Sequence, residues 1–378
     1  MIKMKIKDIC DLQNGRAFKP SDWGTTGLPI IRIQNLNDEQ APFNYYDGEY
    51  NLAQEVNNGD LLFSWSGTPG TSFGAFRWNR GKGVLNQHIF KVIPKIEVDK
   101  TYLMYALNGN ISTIISMAHG GVGLQHITKK ELDEIEISMA SISRQKEVAE
   151  ILEKISLLIS LRKQQITKLN GIVKARFVEM FGDPINNSMS YPKIQLGKVC
   201  DVRDGTHDSP EYYDVGYPLV TSKNVTGGKI DLSTCNMISE SDYKKICERS
   251  KVDKGDILMP MIGTVGKPVI VDIEQEFAIK NVALIKFYDD TPVLNIYIKI
   301  LLESDYFDRA VIDKVRGGTQ KFIALGDIRK LEIVLPDLEY QKAFSAFVER
   351  VDQQKQIVQQ SLDKLELLKK ALMQEYFG

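Results

Sequence analysis

The chain has 378 residues, of which 43% are hydrophobic and 26% charged, and a formal net charge of −1. That length suits two or three domains, each burying its own core. The charge balance excludes the global basic field that marks many nucleic-acid binders, so any DNA or RNA partner must be met by local charge or by other subunits. The opening MIKMKIKD has no apolar run of the signal-peptide kind and no later stretch approaches a membrane span, so a cytoplasmic protein is expected. Cys10, Cys200, Cys235 and Cys247 form no CxxC pair and no zinc spacing. Cys10 and Cys200 stand in similar contexts, DICDLQNG and KVCDVRDG, and read as buried small residues at equivalent points.

Taken in order, the first ~140 residues are short β-branched and aromatic runs between Gly- and Asn-bearing turns, with LPIIRI, DLLFSW and HIFKVI reading as strands. A helix is expected near Lys100–Met117. From Ile142 to Phe181 apolar residues fall at Val148, Leu152, Ile155, Ile159, Ile166, Leu169 and Val173, the period of a long helix with a coiled-coil seam. A polar, Pro-bearing linker, DPINNSMSYPK, follows. The plan then repeats. YPLVT, DILMPM and VALIKF read as strands, Asn295–Lys314 as a helix, and Leu338 to Phe377 as a second long helix with a stripe through Phe344, Val348, Val351, Val358, Leu362, Leu365, Leu368 and Leu372.

The halves match in order. Cys10 falls on Cys200 at an offset of 190, GLPIIRIQN on GYPLVTSKN at 189, and NNGDLLFSWSGTPG on DKGDILMPMIGTVG at 196. Gln145-Lys146 on Gln341-Lys342, and the closing Phe-Gly on Phe-Gly, also stand at 196. Two units of ~190 residues are a tandem duplication rather than a solenoid. A helix of ~60 Å (about 1.5 Å per residue) outreaches a ~140-residue domain, and its nearest partner is its own repeat. A pseudo-two-fold pair requires the long helices to run antiparallel and brings Gly378 near the N-terminus. The expected fold is therefore α+β: two similar mixed globular domains separated by two long helices forming an antiparallel coiled coil. The segments are 1–141, 142–182 (helix), 183–194 (linker), 195–337 and 338–378 (helix).

With its NG, GDLL/GDIL, GT-x-G, QK-bearing helix starts and FG-terminated helices, the plan resembles the specificity (S) subunit of type I restriction–modification systems over essentially the whole chain. The resemblance implies that each globular part is a target-recognition domain reading one half of a split double-stranded DNA sequence. It implies that the helices set the half-site spacing and dock two methyltransferase subunits, with restriction/translocase subunits joining the complex. S-adenosylmethionine, Mg²⁺ and ATP are then expected in the partner subunits and no cofactor in this chain. The S subunit of another bipartite methyltransferase–nuclease system, and a coiled-coil scaffold that binds no DNA, stay open as alternatives.

Catalytic motifs are missing from the sequence. No PP dipeptide occurs, so the Asn/Asp-Pro-Pro-aromatic loop of adenine methyltransferases is absent. GTVGKP lacks the GxxxxGK[ST] spacing, and Pro268 stands where a Mg²⁺-binding hydroxyl is needed. Pro336-Asp337 has no acidic-x-Lys downstream, and His88, His119, His126 and His207 have no metal-ligand spacing. A non-catalytic chain is expected.

Bases are told apart by Arg or Lys toward guanine and Asn or Gln toward adenine, while Ser, Thr and backbone N–H groups anchor phosphates. Polar residues in loops that interrupt apolar strands are therefore the DNA-binding candidates. In the first unit they are Arg32, Gln34, Asn35, Ser66, Thr68, Gln87, His88, Gln125 and His126. In the second they are Thr206, His207, Ser222, Lys223, Asn224, Thr264, Lys280, Asn281, Thr319, Gln320 and Lys321. Asn35 and Asn224 recur at matched places, as do Asn86 and Asn281, which favours a structural Asn. Arg32/Thr221 and Gln34/Lys223 differ, as two readers of different bases should. On the helices, Leu157, Leu158, Leu161, Ile357 and Leu367 exceed what one two-helix contact buries and are candidates for docking a protein partner.

Overall fold

The computed structural model describes residues 2–68, 72–121, 124–261, 267–311 and 323–378. Two compact units emerge, one of Met1–Lys163 with Gln360–Gly378, the other of Gln164–Gln359. The long helices span Ile142–Phe181 and Leu338–Phe377, so each contributes one half to each unit. Each long helix is thus shared between the two units. A helix half is core material for the unit it enters.

In unit 1 an antiparallel sheet runs in the order Cys10–Asn14, Ile89–Pro94, Leu61–Ser64, Gly74–Arg77. A second sheet orders Tyr45–Tyr46, Leu28–Ile31, Gly83–Leu85 and Glu55–Val56, with its two middle strands parallel. A small third sheet joins His119–Gly121, Leu124–His126 and Ser66–Gly67. Unit 2 repeats the first sheet with Cys200–Asp204, Val282–Phe287, Ile257–Pro260 and Val269–Ile270. It repeats the second with Asn236–Ile238, Tyr217–Val220 and Ala278–Ile279, the last two again parallel. The small third sheet has no counterpart among the described residues of unit 2.

The duplicated motifs have duplicated structural reasons. In each GD pair the glycine sits at positive φ (Gly59 +86°, Gly255 +91°), a conformation that costs a side chain. The aspartate then folds back onto the amide three residues earlier, Asp60 onto Asn57 at 2.9 Å and Asp256 onto Asp253 at 2.8 Å. Each also takes a lysine, Lys91 at 2.9 Å or Lys286 at 2.6 Å. Gln145 and Gln341, both buried, clamp the helix starts. Gln145 accepts from the Asp99 amide and donates to the Ala140 carbonyl; Gln341 accepts from the Leu294 amide and donates to the carbonyls of Pro292 and Pro336.

The FG phrases close the cores. In unit 2 Phe181 lies 5.0 Å from Tyr297 and 5.3 Å from Phe344, ring centroid to centroid. In unit 1 Phe377 lies 5.2 Å from Tyr102. The tyrosines match: Tyr102 donates to the Ser138 carbonyl and Tyr297 to that of Val334. The helix halves run antiparallel within each unit. In unit 1 Arg144 lies over Tyr376, while Arg162 bonds Ser361 and Lys163 bonds Glu366. In unit 2 Arg176 lies over Phe347 while Phe181 meets Phe344.

Four sequence expectations change. The strand in LPIIRI ends at Ile31, and residues 33–37 form a short helix because the Asn35 side chain turns back onto the Arg32 amide. The helix expected over Lys100–Met117 is two, Lys100–Gly109 and Ile111–Ser116; the Asn110 side chain bonds the Ala106 carbonyl and breaks the run. The one expected from Asn295 likewise divides into Asn295–Leu302 and Asp305–Ala310. The second helix's buried stripe leaves Leu368 exposed and passes through Lys369, whose ammonium lies 5.7 Å from the Tyr105 ring centroid. Burial first, and then Lys163, lowers the pKa of Lys369. A lysine stem fills the seam where a leucine was expected.

Candidate nucleic-acid interface

Three loops converge in each unit at the ends of the two parallel strands. In unit 1 the Arg16 amide donates to the Leu85 carbonyl at 2.8 Å and the Asn86 amide to Ile31 at 3.1 Å, tying together the loops after Asn14, Ile31 and Leu85. In unit 2 the Thr206 amide donates to Ile279 at 3.0 Å and the Lys280 amide to Val220 at 2.9 Å. The approach is too close for a side chain. A Cβ on Gly15 would stand 2.2 Å from the Asn86 carbonyl oxygen, and one on Gly205 2.2 Å from that of Ile279, which explains the repeated NG and DG.

The bridges Arg16↔Asn86 and Thr206↔Lys280 correct one pairing made from sequence: Asn86 corresponds to Lys280, not to Asn281. They also expose a missed position. Arg16 occupies the place of Thr206, and copying that candidate across the repeat at the Cys10/Cys200 offset would have found it. Its guanidinium lies 4.7 Å from the Tyr46 ring centroid and donates to the Tyr46 hydroxyl and the Glu49 carbonyl, both at 2.7 Å.

Asn35 and Asn224, 2% and 5% exposed, are buried clamps. Each side-chain oxygen accepts from the amide three residues back, Arg32 at 3.0 Å and Thr221 at 2.9 Å. Each amide nitrogen fastens a following loop, to Ala41 and Pro42 or to the Thr234 hydroxyl. Their polar groups are spent inside the chain, so they hold a loop instead of offering an edge to a ligand. Around them Gln34, Gln87 and Lys223 are exposed, while Arg32, His88, Ser222, Lys280 and Asn281 are half-buried. Ser222 donates to the Asn281 carbonyl and Lys280 reaches Ser209.

The other unit 1 candidates join the same cluster. The Trp65 amide donates to the His88 carbonyl, and that of Ile127 to the Trp65 carbonyl. Ser66, buried, pairs with His126, and Gln125 with Gly67; the Thr68 carbonyl accepts from Ser72. His88 lies 5.4 Å from Trp65, ring to ring, and burial lowers its pKa, favouring the neutral imidazole. Thr264, Thr319, Gln320 and Lys321 lie outside the described residues.

Unit 2 carries an ionic cluster that has no counterpart among the described residues of unit 1. Asp204, buried, accepts from Arg249 at 2.5 Å and from His207 Nε2 at 2.9 Å, while His207 Nδ1 faces the Asn281 side-chain oxygen at 2.7 Å. Both ring nitrogens thus face oxygen acceptors, which suits the imidazolium. The bond to Asn281 first, and Asp204 second, raises the His207 pKa above its ordinary 6.5. Asn281 holds this place at φ +54°, a region asparagine tolerates better than most residues.

Residues 1–171 and 190–367 match the sequence profile of the type I restriction modification DNA specificity domain. The chain belongs to this family. It is 27% identical over 337 residues to the type I restriction enzyme MjaVIII specificity subunit of Methanocaldococcus jannaschii, covering 84% of this chain and 78% of that one. It is 23% identical over 387 residues to the EcoBI specificity subunit of Escherichia coli, covering 93% and 78%. The crystal structure of a type I S subunit from M. genitalium has the same fold, with a TM-score of 0.58 at 15% identity, covering 100% of this chain and 96% of that one. In this member of the specificity family, Leu157, Leu158, Leu161, Ile357 and Leu367 are all solvent-exposed on the long helices. Among the described residues no helix is long and apolar enough to cross a membrane, and no cluster of three His, Cys, Asp or Glu could hold a metal ion.

Proposed function

We propose that this chain is the DNA sequence-specificity subunit of a type I restriction–modification complex, with each unit reading one half of an asymmetric bipartite target. The observation that carries the reading is the matched loop cluster. Glycine approach, asparagine clamp and backbone bonds are the same in both units, while the side chains presented there differ: Arg16 against Thr206, Arg32 against Thr221, Asn86 against Lys280. A conserved backbone with exchanged donors and acceptors is what two readers of different base edges need.

The remaining parts follow from the same reading. The long helices fix the spacing between half-sites, and their exposed leucines and isoleucine dock two methyltransferase subunits, restriction/translocase subunits completing the complex. The chain itself supplies recognition and no bond chemistry; S-adenosylmethionine, Mg²⁺ and ATP serve the partner subunits. Partner subunits also supply the positive surface that a chain of net charge −1 lacks.

The test is long-read methylation mapping in cells that express this chain with and without its cognate methyltransferase subunit. A new two-part methylated motif, present only when both are expressed, is the expected result. Co-purification without any motif, or a motif that persists without this chain, would refute the reading. Replacing Lys223 with Ala should then alter one half-site and leave the other as it was.

A further inference from the structure

Unit 1 contains six arginines, and five are committed within the chain. Arg16 serves Tyr46 and Glu49, Arg77 serves Thr101 and Glu153, and Arg80 serves the carbonyls of Asn35, Asp38 and Ala41. Arg144 pairs with Glu147 and Arg162 with Ser361. Arg32 is the exception. Its side chain donates to no group and meets no carboxylate among the described residues. Its guanidinium instead lies over the indole of Trp23, 5.0 Å from the ring centroid.

Both partners of this pair are held in place. The Arg32 amide donates to the Asn35 side chain and its carbonyl accepts from the Asn35 amide, at the head of the central loop of the cluster. Trp23 precedes Gly24, which exchanges two backbone bonds with Tyr45, at 2.8 and 3.1 Å. Trp23 itself is 40% exposed, a large aromatic on a polar loop. A guanidinium resting on an aromatic face keeps its N–H edge free, and the stack limits the rotamers it would otherwise lose on binding. A planar edge with two parallel donors matches the O6 and N7 acceptors of guanine in the major groove.

We infer that Arg32, positioned by Trp23, reads a guanine in the half-site of unit 1. The inference rests on the specificity reading above and names the base that one residue recognises. Unit 2 cannot read the same way at this place. Thr221 stands there, its hydroxyl donating to the Asn224 side chain at 2.9 Å, although an aromatic, Tyr212, is again exposed on the matching loop at 49%. The guanine requirement therefore belongs to one half-site alone.

The experiment maps methylated motifs genome-wide for the wild-type chain with its methyltransferase subunit, then for Arg32→Lys, Arg32→Gln, Trp23→Ala and Trp23→Phe. In both Arg32 variants, discrimination at a single G·C pair of one half-site should fall about 5- to 150-fold. The other half-site, still fully specified, reports an intact fold. Trp23→Ala should relax that same pair and no other, and Trp23→Phe should restore it, since a phenyl ring still carries the guanidinium. Three results would overturn the inference: a half-site without guanine, an unchanged motif in Arg32→Lys, or an even loss across all positions, the mark of a phosphate contact. Loss of every motif in the wild type would instead sink the specificity reading itself, so the two failures are told apart.

Discussion

The two units share a backbone and differ in how their matched loop clusters are charged. Unit 1 places Arg32 on an indole and a neutral, half-buried His88 beside Trp65. Unit 2 has no arginine at the matching place and builds a buried-aspartate cluster from Asp204, Arg249, His207 and Asn281. The difference teaches where duplication was kept and where it was released. Glycines at close approaches, clamping asparagines, GD turns and helix-start glutamines are retained because each meets a buried polar group or a forbidden Cβ. Side chains one position away from those clamps are free to diverge.

The strongest way to break the comparison is through the aromatic closures. Phe181→Ala should destabilise unit 2, and Phe377→Ala unit 1, each by about 3–5 kcal/mol in denaturant melts. Phe181 should cost more because it meets two further rings besides Tyr297, those of Phe177 and Phe344, while Phe377 has Tyr102 and Tyr376. Equal losses would mean that the cores are not closed as described. Next come the glutamine clamps. Gln145→Ala and Gln341→Ala each strand a buried amide or carbonyl, for about 1–3 kcal/mol. A loss under a few tenths in either would show that water replaces the bonds.

A smaller effect separates the units by pH. His207 has a folded pKa raised above 6.5, so its contribution to folding is full below about pH 6.5 and fades as the pH rises through the raised value. Its side chain is mostly exposed, which keeps the effect small. An NMR titration of the histidines should place His207 above His88, and Asn281→Ala should lower it; the reverse order would remove the ionic cluster from the comparison. Smallest of all is the Lys163–Glu366 pair between exposed side chains, worth about 0.2–1 kcal/mol in a double-mutant cycle.

Much of this organisation could be read before any coordinates, for reasons particular residues make plain. The long helices declare themselves through apolar spacing, and the duplication through motifs whose retention is a matter of local backbone need. The interface was less legible. Asn35 and Arg32 look alike as polar loop residues, and only burial distinguishes the clamp from the free guanidinium. Trp23 carries no periodic signal, and its role depends on Arg32 lying over it, a contact between the two ends of the segment that holds the strand Leu28–Ile31. Lys369 displaced Leu368 from the seam because a charged residue can bury its stem, which a binary reading of polarity does not anticipate.

The division of the chain also sets an order of assembly. Unit 2 is one uninterrupted stretch, Gln164–Gln359, whereas unit 1 is finished only by Gln360–Gly378. Tyr102 is made early and must wait for Phe377, so unit 1 cannot complete its core before the second long helix has been made. The unit that begins first is thus the one whose core spans the longer stretch of chain.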